Sequence, residues 1–261
     1  MLTSDLRLTV ADLLHAAEKG LAPIAPLSVT YPAIDVADSY EIQLINIRRR
    51  IAAGERVVGH KVGLTAEAMQ QMFGVTEPDY GHLFDTRELR EDAPVPCANY
   101  LLPRVEVEVA FILGADLPGA GCTADDVLRA TEFVIPSVEL IDSRIVDWQI
   151  GLVDTIADNA SYAGHAIGAA RVRPADIDVT AIDATLTVNG EQVAAGRSDA
   201  VLGNPAAAVA WLAREVADYG VRLRAGDIVL PGSCTRAVDV RPGDRVRADF
   251  TGLGSVSLQF V

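Results

Sequence analysis

Apolar residues recur along this chain at two different periods. Up to Gly54 the spacing is three or four: Val36, Tyr40, Leu44, Ile47 and Ile51 predict a helix that stops near that glycine. Upstream, Thr9 with Asp12 three residues later resembles a capping box ahead of "LLHAAEKG", and Gly20 suits the end of that helix. Between the two, "LAPIAPLSVTYPA" carries three prolines and reads as an extended connector. Beyond residue 100 the period falls to two. "RVEVEVAFIL", "FVIPSVELI" and "SVSLQFV" read as strands, and "TLTVNGEQV" as a hairpin turning at Asn189 and Gly190. Two more helices interrupt them, one capped by Thr123 with Asp126, the other with Asn204 as N-cap, Pro205 at its first position and Gly220 at its end. The expected class is α+β, with a helical region over residues 1–75 and a strand-rich catalytic part over 76–261 forming one integrated unit.

Two acids interrupt the aliphatic run "VEVEVAF". Side chains of a strand alternate faces, so Glu106 and Glu108 share one face while Val105, Val107 and Val109 take the other. An ionised carboxylate without a partner is costly to bury and two on one face repel, so this face meets water, cations or a metal. A solvated face paired with arginines across the sheet is one reading. Glu139, the lone acid of "IPSVELI", favours another. Three carboxylates from two neighbouring strands suit a hard cation such as Mg²⁺ or Mn²⁺, with the other coordination positions left to water and substrate.

Composition narrows the partners. The 261 residues are 50% hydrophobic and 22% charged, enough to bury a sizeable core in one large domain or two small ones. A net charge of −14, with no basic cluster beyond Arg48, Arg49 and Arg50, argues against nucleic acid. No apolar run reaches the roughly 18 residues of a membrane span, and the first residues lack a basic stretch followed by an apolar core, so a cytoplasmic address without membrane contact is expected. Cys97, Cys122 and Cys234 are odd in number and far apart, and read as reduced thiols.

Further chemistry lies in "GHKVGLTAEAMQQMFGVTEPDYGHLFD", residues 59–85. Lys61 sits among Val62, Gly63 and Leu64, and an amine in apolar surroundings or near a metal has its proton affinity tuned for acid–base work; a snorkelling surface lysine is the plainer alternative. Asp79, Tyr80 and His82 around Gly81 add proton-transfer groups. His60 suits a structural role better than a catalytic one, whereas His82 is equally suited to contacting substrate. In "LPGSCT", Gly232 and Ser233 form a turn at the end of an apolar strand, where backbone N–H groups can receive a substrate carboxylate unless it is a simple tight turn.

In this order and at these separations, "HKVGLT", "PDYGHLFD", "RVEVEVAFIL", "VELIDSR" and "DNASYAGHAIG" resemble the fumarylacetoacetate hydrolase superfamily, from about residue 40 onward. Within it the likeness is to the hydratases of 2-hydroxypenta-2,4-dienoate (2-keto-4-pentenoate). The resemblance implies a helical N-terminal region packed on a mixed β-roll and a homo-oligomer, as a pentamer or decamer, and it admits association with a pathway aldolase. It places the family's metal site on Glu106, Glu108 and Glu139, with Mg²⁺ or Mn²⁺ as cofactor. It also puts Ser161 of "DNAS" against the substrate carboxylate and Asp158 behind the site.

The reaction implied is addition of water to a short 2-hydroxydienoate, giving a 4-hydroxy-2-oxo acid, in meta-cleavage catabolism of aromatic or steroid rings. Lys61 and Asp79 are the candidates for its proton transfers. Decarboxylases of 2-oxo-hex-3-enedioate (4-oxalocrotonate) share the scaffold, the ligand pattern and the lysine, but tend to be apolar where Asp79 stands. A catalytically silent, metal-bound partner subunit is the non-enzyme alternative, and it would tolerate loss of both Lys61 and Asp79.

Overall fold

The computed structural model describes residues 1–65 and 77–261 of an α+β protein. Helices α1 (Ser4–Gly20), α2 (Leu27–Thr30) and α3 (Val36–Ala52) come first. The N-cap of α1 is Thr3, whose hydroxyl accepts the Leu6 N–H, and Thr9 lies inside the helix with its hydroxyl on the Asp5 carbonyl at 2.9 Å. Residues 4–8 contain no helix breaker, so α1 begins at the earlier cap instead of the expected one. The proline-rich connector contains the short α2, whose Leu27 and Ser28 N–H groups are received by Asp154.

Helix α3 ends where its spacing predicts and starts on a reciprocal capping box between Asp35 and Asp38. Its buried face is rotated from the expected one. Val36 and Ile51 are exposed, while Asp38, Ser39 and Gln43 are buried beside Tyr40, Ile42 and Ile47. These polar residues are ties: Asp38 receives the Leu2 N–H at 2.7 Å and pairs with Arg7, and Gln43 donates to the carbonyls of Tyr80 and Ile156 at 3.0 and 2.8 Å. Because the Asp38 carboxylate and the Gln43 side-chain N–H groups find partners inside, these residues occupy core positions that a hydropathy pattern assigns to solvent.

The helices end at Ala52, and the first strand follows at once. Strands β1 (Val57–Gly63), β2 (Asp79–Phe84), β3 (Arg104–Leu113), β4 (Thr131–Ile141), β5 (Tyr162–Ile167), β8 (Ile228–Leu230) and β9 (Val238–Asp239) form a curled mixed sheet in the order β2-β1-β8-β3-β4-β5, with β9 on β3. Strands β6 (Asp183–Val188), β7 (Glu191–Arg197), β10 (Arg245–Phe250) and β11 (Gly254–Gln259) form a second sheet in the order β11-β10-β6-β7. The hairpin at Asn189–Gly190 joins β6 to β7. Helices α4 (Ala124–Ala130), α5 (Leu152–Ala157) and α6 (Pro205–Asp218) complete the described elements, α4 and α6 with the expected caps. The boundary expected between residues 75 and 76 lies outside the described residues.

One face of the large sheet carries Val105, Val107, Val109 and Phe111, which join Leu186, Ala248, Val256, Val209 and Leu212 in the main core. The opposite face is apolar only at one end, where Ala110, Ile135 and Leu230 meet Ile47 of α3. Its other end carries the glutamates. Among the described residues, no helix is long and apolar enough to cross a membrane, and the three cysteines are buried and free.

Strand β1 is seated by its parallel neighbour β8. A Cβ on Gly59 would lie 1.8 Å from the Ile228 carbonyl oxygen. Gly59→Ala is therefore expected to lower stability by about 1–3 kcal/mol in chemical denaturation, through overpacking. It should also reduce activity by displacing Lys61 two residues on; an unchanged unfolding midpoint would contradict the close approach.

Candidate active site

Strands β3 and β4 pair antiparallel with Glu106 directly opposite Glu139 and Glu108 opposite Ser137. Period two then brings three carboxylates to one patch of one face, and one oxygen from each lies within 4.8 Å of the others. Glu108 and Glu139 are fully buried. Glu108 Oε2 accepts the Gly232 N–H at 2.8 Å, but Glu108 Oε1 and both oxygens of Glu139 are buried without a hydrogen-bond partner among the described residues. Burial, then the neighbouring glutamates, pushes the Glu108 carboxyl well above its ordinary range. Glu139 rises to about 7 through burial, although Lys61 opposes the shift.

The residues fit a divalent cation. The donor set is all oxygen, as Mg²⁺ and Mn²⁺ prefer, and the orphaned oxygens would be satisfied by an ion. The Lys61 ammonium lies 3.3 Å from Glu139 Oε1. Three carboxylates beside one ammonium leave two negative charges uncompensated.

Lys61 and Asp79 reach this patch from β1 and β2, which the sequence reading did not identify as strands. Lys61 is opposite Gly81, and Gly63 is opposite Asp79, so Lys61 and Asp79 share a face. Burial alone would lower the lysine's proton affinity, but Glu139, Glu106 and Asp79 outweigh it and hold the ammonium above the ordinary lysine range. Lys61 Nζ also donates to the Ala160 carbonyl at 2.9 Å. Asp79 is buried, which raises its pKa against the pull of Lys61; its Oδ2 accepts from the Thr155 hydroxyl at 3.2 Å, while Oδ1 has no hydrogen bond. A Cβ at Gly63 would lie 2.2 Å from Asp79 Oδ1, so only glycine leaves room for that carboxylate.

His82 does not join them. It lies one residue out of phase with Asp79, on the opposite face, its ring tilted against that of His60 with centroids 4.7 Å apart, and it does not line the cavity beside the glutamates. Burial lowers His82 to about 4 and His60 well below the ordinary value, so both rings are neutral. Asn159 holds His82 by its backbone, accepting its N–H at 2.8 Å and donating to its carbonyl at 3.0 Å.

Ser161 closes a turn in which Asn159, Ala160 and Ser161 all have left-handed φ, +55, +50 and +56. Such residues cost about 1–3 kcal/mol each and persist only when their surroundings dictate them. Here the dictating groups are Lys61, the Asn159–His82 pair and a buried guanidinium: Arg144 donates through its backbone N–H and Nε to Asp158 and through its Nη groups to the carbonyls of Asp142, Asp158 and Tyr162. Asp158 thus acts on the turn through Arg144, away from the cavity. Ser161 Oγ is buried, unpartnered and lines the cavity.

The cavity, about 390 Å³, is lined at its floor by Lys61, Asp79, Glu106, Ser161 and Gly232. Gly232 and Ser233 both line it, but the Gly232 N–H is given to Glu108, and the Ser233 hydroxyl receives the Val107 N–H at 3.1 Å, tying the turn to β3. Thr155, Arg144 and Trp148 are parts of the site that sequence reasoning missed. Nothing local marks them: Thr155 reads as a neutral helix residue, and Arg144 as a surface charge.

If the glutamates hold the cation, Glu106→Gln weakens Mg²⁺ or Mn²⁺ binding at least about tenfold in calorimetry on chelator-stripped protein, and unchanged affinity rules the triad out. The metal-free protein should also lose stability as pH rises from 4.5, the ordinary glutamate value, to about 7. The raised folded-state pKa means that the native carboxyl keeps a proton that the unfolded chain has released. Glu106→Gln should flatten that slope in thermal melts.

Comparison with known proteins gives the family. Residues 88–261 match the model of the fumarylacetoacetate (FAA) hydrolase C-terminal family. The chain is 42% identical over 259 residues to the 2-keto-4-pentenoate hydratase of Paraburkholderia xenovorans (strain LB400), covering 99% of this chain and 96% of that protein. It is 41% identical over 258 residues to the 2-oxo-hept-4-ene-1,7-dioate hydratase of Escherichia coli, covering 97% of each. The solved 4-oxalocrotonate decarboxylase of Pseudomonas putida G7, complexed with magnesium and adipate, is 35% identical and superposes with a TM-score of 0.97 over 100% of this chain and 99% of that one. The chain belongs to the fumarylacetoacetate hydrolase family.

Proposed function

We propose that this chain is a metal-dependent hydro-lyase that adds water to 2-hydroxypenta-2,4-dienoate, or to an analogue substituted at C5, giving a 4-hydroxy-2-oxo acid in meta-cleavage catabolism. The observation that carries the reading is the convergence of Lys61 and Asp79, both buried, with Glu106 on the lining of one cavity. Net addition of water requires a proton delivered to C5 and another taken from the water that attacks C4, so two proton-transfer groups beside one substrate are the minimum equipment. The names of the relatives support the same class of reaction.

Mg²⁺ or Mn²⁺ on Glu106, Glu108 and Glu139 would supply Lewis-acid stabilisation of charge at the substrate's C2 oxygen. The chain's own residues do the rest. Ser161 Oγ, unpartnered in a turn locked on both sides, is placed to donate to the substrate carboxylate. Lys61 and Asp79 move the protons. Thr155, by donating to Oδ2, orients the Asp79 carboxyl with Oδ1 toward Gly63 and the lysine. The two histidines behind the strand stay neutral and take no part. A homo-oligomer, pentameric or decameric, belongs to this reading, as do association with a pathway aldolase and a cytoplasmic address. Exposed Leu6, Leu8 and Leu13 on α1 support the assembly, which light scattering tests.

The reaction is tested by incubating the protein with freshly generated 2-hydroxypenta-2,4-dienoate, with and without the metal. Loss of dienol absorbance together with a product heavier by one water is expected only with metal. Absence of hydration, with CO₂ released from 2-oxo-hex-3-enedioate, would establish the decarboxylase instead.

Lys61→Ala should lower kcat by about 10²–10⁴ with metal affinity retained. Full turnover in that variant would remove Lys61 from the proton transfers. Thr155→Val should reduce kcat by about tenfold, the scale of one hydrogen bond, with little change in KM, and Thr155→Ser should restore it. Equal loss in both variants would make Thr155 a packing residue only.

A further inference from the structure

Two arginines line the outer part of the cavity, and the hydration chemistry uses neither. Alternate residues of a strand share a face and lie about 7 Å apart. One step outward from Glu106 on β3 is Arg104, and its register partner on β4, one step outward from Glu139, is Ile141. The inner row of the sheet holds the metal ligands; the next row holds a cation beside an aliphatic side chain.

Arg104 is fixed in place. Its guanidinium carbon lies 4.5 Å from the ring centroid of Trp148, and its Nε donates to Asp239 at 2.8 Å, while neither Nη makes a hydrogen bond among the described residues. Trp148 is held in turn, by a left-handed backbone (φ +57, after +51 at Asp147) and by its indole N–H on the Leu102 carbonyl at 3.0 Å. Arg236 lines the same cavity, with one Nη on the Val193 carbonyl at 2.9 Å and no acidic partner among the described residues. In a chain of net charge −14, two cations without full compensation at one opening point to an anion.

We propose that Arg104 and Arg236 form a second carboxylate subsite, so that the 2-hydroxydienoate this chain takes carries a further carboxylate at its far end. Its hydrocarbon part lies against Trp148, Ile141 and Ile150, which line the same cavity. The proposal rests on the hydratase reading for the inner end of the substrate. An acid of about six or seven carbons spans about the one strand step that separates the rows. An alkyl substituent there would cover the Arg104 Nη donors without giving them an acceptor, whereas a carboxylate pairs with them.

The test compares binding of 2-oxoadipate and 2-oxohexanoate to the Mg²⁺-loaded protein by calorimetry. The two share the 2-oxo acid head and differ only in the terminal carboxylate. The diacid is expected to bind at least about tenfold tighter, with Arg104→Met and Arg236→Gln each removing most of that preference and leaving 2-oxohexanoate unaffected. Equal binding by the wild type, tighter binding of the alkyl acid, or equal losses for both acids in the variants overturns the subsite. If 2-hydroxypenta-2,4-dienoate is hydrated but the diacid is not preferred, the subsite fails and the hydratase stands. If the arginines select the diacid but no dienoate is hydrated, the assigned reaction fails and the subsite stands.

Discussion

Mutual repulsion of three clustered carboxylates, two of them fully buried, is the constraint around which this molecule is arranged. Glu106, Glu108 and Glu139 are brought together by the pairing of two strands whose other faces are committed to the main core, so the register cannot slip without turning Val105, Val107 and Val109 outward. The same hydrophobic burial that stabilises the sheet therefore forces like charges into a patch where burial raises their pKa values. Within the chain, the Lys61 ammonium, one N–H from Gly232 and the charge of Arg104 offset them. A cluster of this kind costs stability while it has no cation, and that cost becomes affinity when one binds.

The compensating groups need supports of their own. Lys61 reaches the patch because β1 runs close against β8, and it gives a second hydrogen bond to a turn whose three left-handed residues would relax without it. That turn is fixed from behind by Arg144, which satisfies four backbone or side-chain oxygens at once, and from the side by Asn159 on the backbone of His82. His82 therefore matters to the site through its main chain, while its ring, on the opposite face, packs neutrally on His60. The separation is useful physically: a protonated ring beside Lys61 would add a second positive charge to the proton-transfer pair.

Much of this was legible in the sequence, because it follows from periods. Strands of period two placed Glu106, Glu108 and Glu139 on one face, and caps at Thr123 and Asn204 bounded helices that form as expected. The failures share a cause. Asp38 and Gln43 are buried where the pattern of α3 expects solvent, because their polar groups find partners more than 30 positions away. Lys61 and Asp79 were recognised as chemistry but not as members of paired strands, since "GHKVG" and "DYGHLF" mix glycine, charge and histidine where strands are usually aliphatic or aromatic. His82 was grouped with Asp79 because the two are close in sequence, yet an offset of three residues along a strand puts them on opposite faces. Arg144, Thr155 and Trp148 act through contacts made only after folding, and their local sequence carries no mark of it.

The division of the cavity into rows follows from the same period. Residues at the inner row of β3 and β4 are constrained together: changing Glu106 or Glu139 alters the charge that Lys61 and the ion must balance. Residues one step outward, Arg104 and Ile141, share the face; Arg104 bears on that balance only through its charge on Glu106, and its guanidinium is held by Trp148 and Asp239. An exchange in the outer row therefore changes what the far end of a substrate meets without moving the groups that hold its head. The carboxylate cluster is set by register and its surroundings by the neighbouring pleat, so the outer row can vary while the glutamates stay in place.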